Sequence, residues 1–262
     1  MPAGADNGRS ALTAKLTLEY HGAGFSGWAR QSGARTVQEE VERALATVRR
    51  EPVPLTVAGR TDAGVHAQGQ VASHPGTATS AYALNSLLPP DVRALASDVV
   101  SEGFSARHDA LSRTYRYRVQ PGQWPRVMEL GRSLHWRYAM DRGALDACAA
   151  LLLGVHDYTA FTRSRTTHTH FERTVLRSEW IEEADGVLGF WIEADAFLRS
   201  MVRILVGTML TVAQGRDTVD HFGELLAGRP RAQAGDTVPA HGLYLQSVRY
   251  GEPETTRILG SP

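Results

Sequence analysis

An alternating stretch near the middle of the chain decides the fold class: Arg113-Thr114-Tyr115-Arg116-Tyr117-Arg118-Val119-Gln120. Tyr115, Tyr117 and Val119 share one side of this pattern and polar residues share the other, which predicts a half-buried strand. The chain after it predicts a helix capped by Asp141, a hairpin, an apolar helix, an amphipathic helix and a last strand. The hairpin, the two helices and the strand fall at 173–181 with 187–194, 200–214, 219–227 and 243–250.

The same order of elements precedes that stretch. Residues 15–20 alternate in the same way, and a helix with a capping box at 36–39 follows them. Two strands, a helix ended by Pro89 and Pro90 and a further strand come next, at 55–58, 70–74, 80–88 and 98–102. Both halves therefore predict an α+β fold with the ferredoxin-like order β-α-β-β-α-β. We expect a disordered N-terminal segment at 1–12 and ferredoxin-like domains at 13–108 and 109–262.

The composition is typical of a globular protein from a reducing compartment. Of 262 residues, 42% are hydrophobic and 21% are charged. The single cysteine, Cys148, cannot form a disulfide within the chain, and no apolar run is long enough to span a membrane. Residues 1–10 lack the apolar core of a signal peptide. These features predict a cytoplasmic protein.

The net charge of zero argues against a nucleic-acid partner when it is taken alone. However, Lys15 is the only lysine among the 28 basic residues, so 27 are arginine. Arginine suits phosphate binding and stacking on bases, and a GC-rich genome would produce the same bias. Composition therefore leaves the partner open.

The densest polar segment of the first half is the loop from Gly59 to His66, which contains Arg60, Thr61 and Asp62. A loop at a strand end can present side chains over a rigid sheet, and its glycines let a substrate approach the backbone. The same spacing fits a tight turn in which Asp62 caps the next segment and Arg60 is solvated.

Arg203 lies within the apolar segment 197–207. A buried guanidinium is costly unless a carboxylate meets it, and Asp62 is the candidate partner. Alternatively, the long side chain reaches the surface.

Tyr115 and Tyr117 on their arginine-rich strand fit either a stacking platform for bases or ordinary core residues, and the residues alone favour the core.

Two other motifs lack residues that a metal site or a nucleotide-binding loop would need. His168 and His170, with His156, have no cysteine or carboxylate at ligand spacing, so we expect no metal. The glycines of 22–33 match neither a dinucleotide-binding fingerprint nor a phosphate-binding loop, so no nucleotide cofactor is indicated.

Taken together, the segments resemble the tRNA pseudouridine synthase A family, which modifies the anticodon stem-loop. Gly59-Arg60-Thr61-Asp62-Ala63-Gly64-Val65-His66-Ala67 is similar to the family's signature loop. Supporting segments, which extend the resemblance over about 14–250, are 27–31, 36–38, 83–85 with Leu88-Pro89, 113–117, 156–158 with Phe161, 197–203 and 242–245.

The resemblance implies two ferredoxin-like halves in one extended mixed or antiparallel sheet, with helices on one side and a central, positively charged RNA-binding cleft. It implies no cofactor and no metal, tRNA as the partner, and a homodimer. By position, Asp62 is the catalytic residue, and Arg60 helps to extrude the target uridine. Tyr115 lies beside the flipped base, and Arg203 pairs with the aspartate.

The charges along the chain predict a local positive field around this site despite the net charge of zero. Acidic residues cluster away from the site segments, at Glu39-Glu40, Glu182-Glu183 and Asp185. The arginines in or beside those segments are Arg60, Arg107, Arg113, Arg116, Arg163, Arg165 and Arg203.

The implied activity is an isomerase that converts uridine to pseudouridine at positions 38, 39 and 40 of tRNA. An aspartate could act as a nucleophile at C1′ or C6, or could take the 2′ proton to form a glycal. Two alternatives remain, a tRNA-binding folding helper and the same isomerisation on another RNA or nucleotide. Departures from the family pattern concern target contacts: His21, Ala29 and Ser105 replace its usual Asp, Gln and His.

Overall fold

A computed structural model describes residues 12–166, 168–183 and 185–251. The predicted disordered segment lies outside these residues except for Leu12, whose carbonyl accepts a hydrogen bond from the Gly76 N–H. The strands and helices are β1 Thr13–Tyr20, α1 Val37–Arg49, β2 Thr56–Val57, β3 His66–Pro75, α2 Ala81–Asn85, β4 Val92–Val100, β5 Ala110–Pro121, β6 Leu134–Trp136, α3 Arg142–Leu151, β7 Gly154–Asp157, β8 Glu172–Glu182, β9 Leu188–Ala194, α4 Met201–Ala213, α5 Val219–Leu225 and β10 Leu243–Tyr250.

The first half, β1 to β4, has the strand order β4-β1-β3 with β2 beside β3. All of these pairs are antiparallel. The second half, β5 to β10, repeats the arrangement as β10-β5-β9-β8, again antiparallel, with β7 added at the outer edge. When the four main strands of each half are numbered 1 to 4 in chain order, both halves have the same strand order in the sheet, 4-1-3-2. The predicted α+β class and the ferredoxin-like order of elements are thus confirmed.

The two halves join through one edge of β3. Near its end, β3 pairs with the two-residue strand β2 at Ser73 and Ala72. At its beginning, the same edge pairs in parallel with β10, where His66 lies opposite Tyr244 and Ala67 lies opposite Leu245. Because β2 is so short, the first residues of β3 stay available to β10. The result is a single ten-stranded, mostly antiparallel sheet.

Helix α4 forms much of the core of the second half, and its apolar residues are buried along almost its whole length. The segment before β10 crosses it closely at Gly207. A Cβ atom on Gly207 would lie 1.9 Å from the carbonyl oxygen of Asp236, so this crossing requires glycine. The crossing also brings the Val238 carbonyl to the first turn of α4.

Some element boundaries differ from the prediction. The strand expected at 98–102 begins instead at Val92, because β1 pairs with β4 from Thr13 opposite Val100 to Tyr20 opposite Val92. The expected capping box is absent: α1 follows Thr36, but the Thr36 side chain makes no cap hydrogen bond. The short strands β6 and β7 were not predicted. Within the described residues, no helix combines the length and apolarity needed to cross a membrane.

The cap of α3 yields a stability prediction. The Asp141 carboxylate accepts a hydrogen bond from the Ala144 N–H at 3.2 Å, as expected from the sequence. Asp141→Ala should lower the free energy of unfolding by about 1 kcal/mol, measured by urea titration. Ser80 is the matched control, since it precedes α2 without a side-chain cap bond. An Asp141→Ala loss no larger than that of Ser80→Ala would contradict the assigned cap.

Candidate active site

The loop between β2 and β3 presents Asp62 and is held from below by buried polar side chains. Thr61 is buried, and its Oγ1 lies 2.8 Å from the Tyr20 hydroxyl oxygen in a hydrogen bond. The Gln70 amide donates to Tyr20 Oη at 3.2 Å and to the Gly59 carbonyl at 2.7 Å. Burial raises the pKa of Tyr20 to about 12, so the phenol stays neutral. These bonds fix the loop on both sides of Arg60.

The glycine-rich segment after β1 supports the same loop from another side. The Trp28 N–H donates to the Thr61 carbonyl at 3.0 Å, and the Gly64 N–H donates to the Phe25 carbonyl at 3.3 Å. Gly27 has φ +100°, and a Cβ there would lie 2.8 Å from the Thr61 oxygen. Sequence reasoning missed that this segment supports the Asp62 loop. The only indication in the sequence is the density of glycines near 22–27.

The second half contributes Arg203 from the first turn of α4. Its Nη1 lies 3.6 Å from Asp62 Oδ2, and its Nε donates to the Val238 carbonyl at 2.8 Å. The side chains of Arg203 and Asp62 are 14% and 27% exposed. Burial lowers the pKa of Arg203, and the Asp62 charge opposes that change. The predicted Asp62–Arg203 pair is therefore present, and Arg203 does not extend into solvent.

Two further residues of the same segment reach Asp62, and sequence reasoning missed both. The Ser200 hydroxyl donates to Asp62 Oδ2 at 3.1 Å. Arg199 Nε lies 3.8 Å from Asp62 Oδ1, and the Arg199 side chain is largely exposed. The only indication of these contacts in the sequence is that Arg199 and Ser200 lie close to Arg203 in the chain. The carboxylate thus meets two cations and one hydroxyl, all supplied by the other half.

Tyr115 lies beneath this site. It is buried, and its ring packs edge-on against Phe197 with 4.9 Å between the ring centroids. A Cβ on Gly59 would lie 3.6 Å from the Tyr115 hydroxyl oxygen, so the ring borders the Asp62 loop. Burial raises the pKa of Tyr115 above its usual range. Tyr117 is a core residue, because it is fully buried and its hydroxyl donates to the Pro239 carbonyl.

Comparisons with a family model and with individual known proteins indicate the same family for this chain. A family model described as tRNA pseudouridine synthase matches residues 148–251. A protein named tRNA pseudouridine synthase A from Bacillus pumilus is 40% identical over 247 residues, which cover 91% of this chain and 99% of the relative. The protein of that name from Frankia casuarinae is 43% identical over 243 residues, which cover 90% of this chain and 88% of the relative. The chain belongs to the tRNA pseudouridine synthase A family. The family expected from the sequence is therefore confirmed.

Arg60 and the other arginines near the site differ in their surroundings. Arg60 lies two residues before Asp62 with its side chain exposed. Arg113 instead donates to the carbonyl oxygens of Ala58, Arg107, Ala110 and Asp195, so it ties the junction between the halves together.

Arg116 corrects one expectation of the sequence analysis. We expected arginines near the site segments to be segregated from an acidic group that includes Glu183 and Asp185. Arg116 Nη1 is instead paired with Glu183 at 3.2 Å, and Arg118 contacts both acidic residues. Alternation along β5 explains this, since Arg116 and Arg118 point away from the face that carries Tyr115.

Histidines near the site have structural contacts. The His66 Nδ1 accepts from the Gly22 N–H at 3.1 Å, and its Nε2 donates to the His241 carbonyl at 3.1 Å. This pattern requires the neutral ring. His168 and His170 are exposed. Across 12–166, 168–183 and 185–251, no three His, Cys, Asp or Glu side chains gather where they could hold a metal ion.

The environment of His66 predicts a pH dependence of stability. Burial, with a smaller contribution from His21, lowers the pKa of His66 to about 4. The unfolded chain therefore binds this proton first as the pH falls below about 6.5. The native state should lose up to about 3 kcal/mol of stability by about pH 4 from this group. Urea titrations at about pH 7 and about pH 4.5 measure how much the free energy of unfolding changes with pH. That change should be smaller in His66→Gln than in the parent. His168→Gln serves as control, and equal differences in all three proteins would contradict the assignment.

Proposed function

We propose that this chain converts uridine to pseudouridine in the anticodon stem-loop of tRNA, at positions 38, 39 and 40. The observation that carries the proposal is the placement of Asp62. One half of the chain presents this carboxylate on a braced loop, and Arg203 and Ser200 of the other half meet it. The relatives that share about 40% identity over most of the chain are named for tRNA pseudouridine synthesis.

The chemistry requires one well-placed carboxylate. The bond between uridine N1 and C1′ breaks, a bond between C5 and C1′ forms, the C5 proton leaves to solvent and N1 gains a proton. All atoms come from one nucleotide and water, so the proposal invokes no redox partner, group donor or cofactor. Asp62 would act as a nucleophile at C1′ or C6, or as a base at the 2′ position. Arg203 would hold the carboxylate in position through the attraction of opposite charges.

Access to the uridine explains the proposed roles of Arg60 and Tyr115. A base must leave its stack before Asp62 can reach it, at a cost of a few kcal/mol. Arg60, which is exposed, would occupy the vacated position. Tyr115, which is neutral and fixed against Phe197 beside the loop, would pack against the extruded base once the base enters the site. Both contacts would offset the cost of extrusion.

We also propose that the protein is a homodimer that acts in the cytoplasm. In each chain, tRNA would bind in the cleft between the halves 13–108 and 109–262. One observation supports self-association. The loop between β5 and β6 exposes Trp124, Val127, Met128 and Leu130 by 75%, 84%, 78% and 80%. The same loop is braced, since the Tyr244 hydroxyl donates to the Arg132 carbonyl and Arg118 pairs with Glu129. Four exposed apolar side chains on one fixed loop are typical of an interface.

Replacement of the carboxylate tests the catalytic assignment. Asp62→Asn should abolish tritium release from C5-labelled tRNA, because an amide is neither a nucleophile nor a base at neutral pH. Its tRNA affinity should stay within about tenfold of the parent, since the size of the side chain is kept. Asp98→Asn, an exposed change on β4, is the matched control and should retain full turnover. Substantial turnover by Asp62→Asn would move the catalytic role elsewhere, and a parent without turnover would refute the activity.

Light scattering and salt titration test the assembly. The parent should run near twice the 28.6 kDa chain mass. The variant Val127→Asp/Met128→Asp should run as a folded monomer, because two carboxylates would have to be buried at the contact. Tyr82→Asp, at another exposed apolar residue, should leave the dimer intact. The tRNA affinity should fall at least about tenfold between about 50 and about 200 mM salt if two or more phosphates are neutralised. A monomeric parent whose binding is indifferent to salt would contradict this proposal.

A further inference from the structure

Ser200 has a backbone conformation that serine rarely adopts. Its φ and ψ are 63° and 9°, in the left-handed region where a Cβ atom crowds the following carbonyl. Among the described residues, Arg50 is the only other non-glycine with positive φ. Arg50 ends α1 at an exposed position, where such a conformation is common. Ser200 instead begins a helix and is buried.

The Ser200 side chain does not form the helix-capping hydrogen bond that is usual for a serine at this position. A serine before the first turn of a helix normally has extended backbone, and its oxygen accepts a hydrogen bond from the helix N–H groups. Asp141 and Thr218 make such bonds at the starts of α3 and α5. Ser200 makes no cap bond to α4, and its hydroxyl donates to Asp62 Oδ2 instead. The local geometry thus favours the contact with Asp62 over the helix.

The contact makes the two oxygens of Asp62 unequal. Oδ2 accepts from Ser200 at 3.1 Å and lies 3.6 Å from Arg203 Nη1, and both of these partners are largely buried. Oδ1 lies 3.8 Å from Nε of Arg199, whose side chain is 58% exposed and can move aside. One oxygen is therefore fixed by the protein, and the other is bordered by a solvent-exposed arginine.

We propose that Ser200 is a positioning residue that fixes Asp62 Oδ2 and so leaves Oδ1 as the oxygen that acts on the substrate. The unfavourable backbone of Ser200 is retained because it aims the hydroxyl at the carboxylate. This inference rests on the proposed function of Asp62 as the catalytic group. It assigns to Ser200 an effect on the chemical step and none on tRNA affinity.

Paired substitutions separate this role from a structural one. Ser200→Ala removes the hydroxyl and keeps the backbone strain, whereas Ser200→Gly removes both. Each should lower the single-turnover rate constant at least about tenfold, the effect of one hydrogen bond to a charged group, with tRNA affinity within about twofold. The melting temperature of Ser200→Gly should equal or exceed that of the parent, because glycine adopts this backbone freely. Ser200→Asn should be faster than Ser200→Ala, since asparagine tolerates the conformation and supplies an N–H donor.

Arg50→Gly is the matched control. It relieves the same kind of backbone conformation at an exposed helix end, so its melting temperature should not fall and its turnover should equal that of the parent. Parental rates in both Ser200→Ala and Ser200→Gly would overturn the inference, and so would a rate loss confined to variants with lower melting temperatures. A parent without turnover in the same assay would refute the proposed function itself, so the two failures are distinguishable.

Discussion

The charged contact between Asp62 and Arg203 joins the two halves of the chain at the site, and the surrounding structure makes that contact possible. Arg203 lies at the start of an apolar helix, where burial disfavours a charge that has no partner. Its charged partner comes from the other half, so the buried guanidinium is paired with a carboxylate only when the halves share one sheet. The short parallel pairing of β3 with β10 provides this connection.

Much of the first half is organised to hold one loop still. Buried Tyr20 and Gln70 bond to it from the sheet, and the segment that contains Gly27 bonds to it from the side. A carboxylate that must meet a reacting atom needs its position fixed before the substrate arrives. Rigid support and the contacts from α4 together account for an aspartate that is held in place and yet remains partly open to solvent.

The sequence predicts most clearly what depends on local patterns. It predicts both ends of β10, and it predicts the hairpin of β8 and β9 from the turn residues Asp185 and Gly186 between two runs of strand-forming residues. The start of β4 could not be read locally, because pairing with β1 sets it. The buried Arg203 pointed to Asp62 because a guanidinium in an apolar helix needs a carboxylate. Ser200 gave no such signal, since its role depends on a backbone conformation that only the folded chain shows. Likewise, the partner of Arg116 became clear only once the hairpin carrying Glu183 was placed.

A double-mutant cycle on Asp62 and Arg203 tests most directly whether one half holds the carboxylate of the other. The free energies of unfolding of Asp62→Asn, Arg203→Met and the double variant are compared with the parent by urea titration. We expect a favourable coupling of at least about 0.5 kcal/mol for this largely buried pair. The same cycle on Asp62 and the exposed Arg199 should give a smaller value, since exposed pairs contribute little. A coupling of zero between Asp62 and Arg203 would show that Arg203 does not hold the Asp62 carboxylate in place.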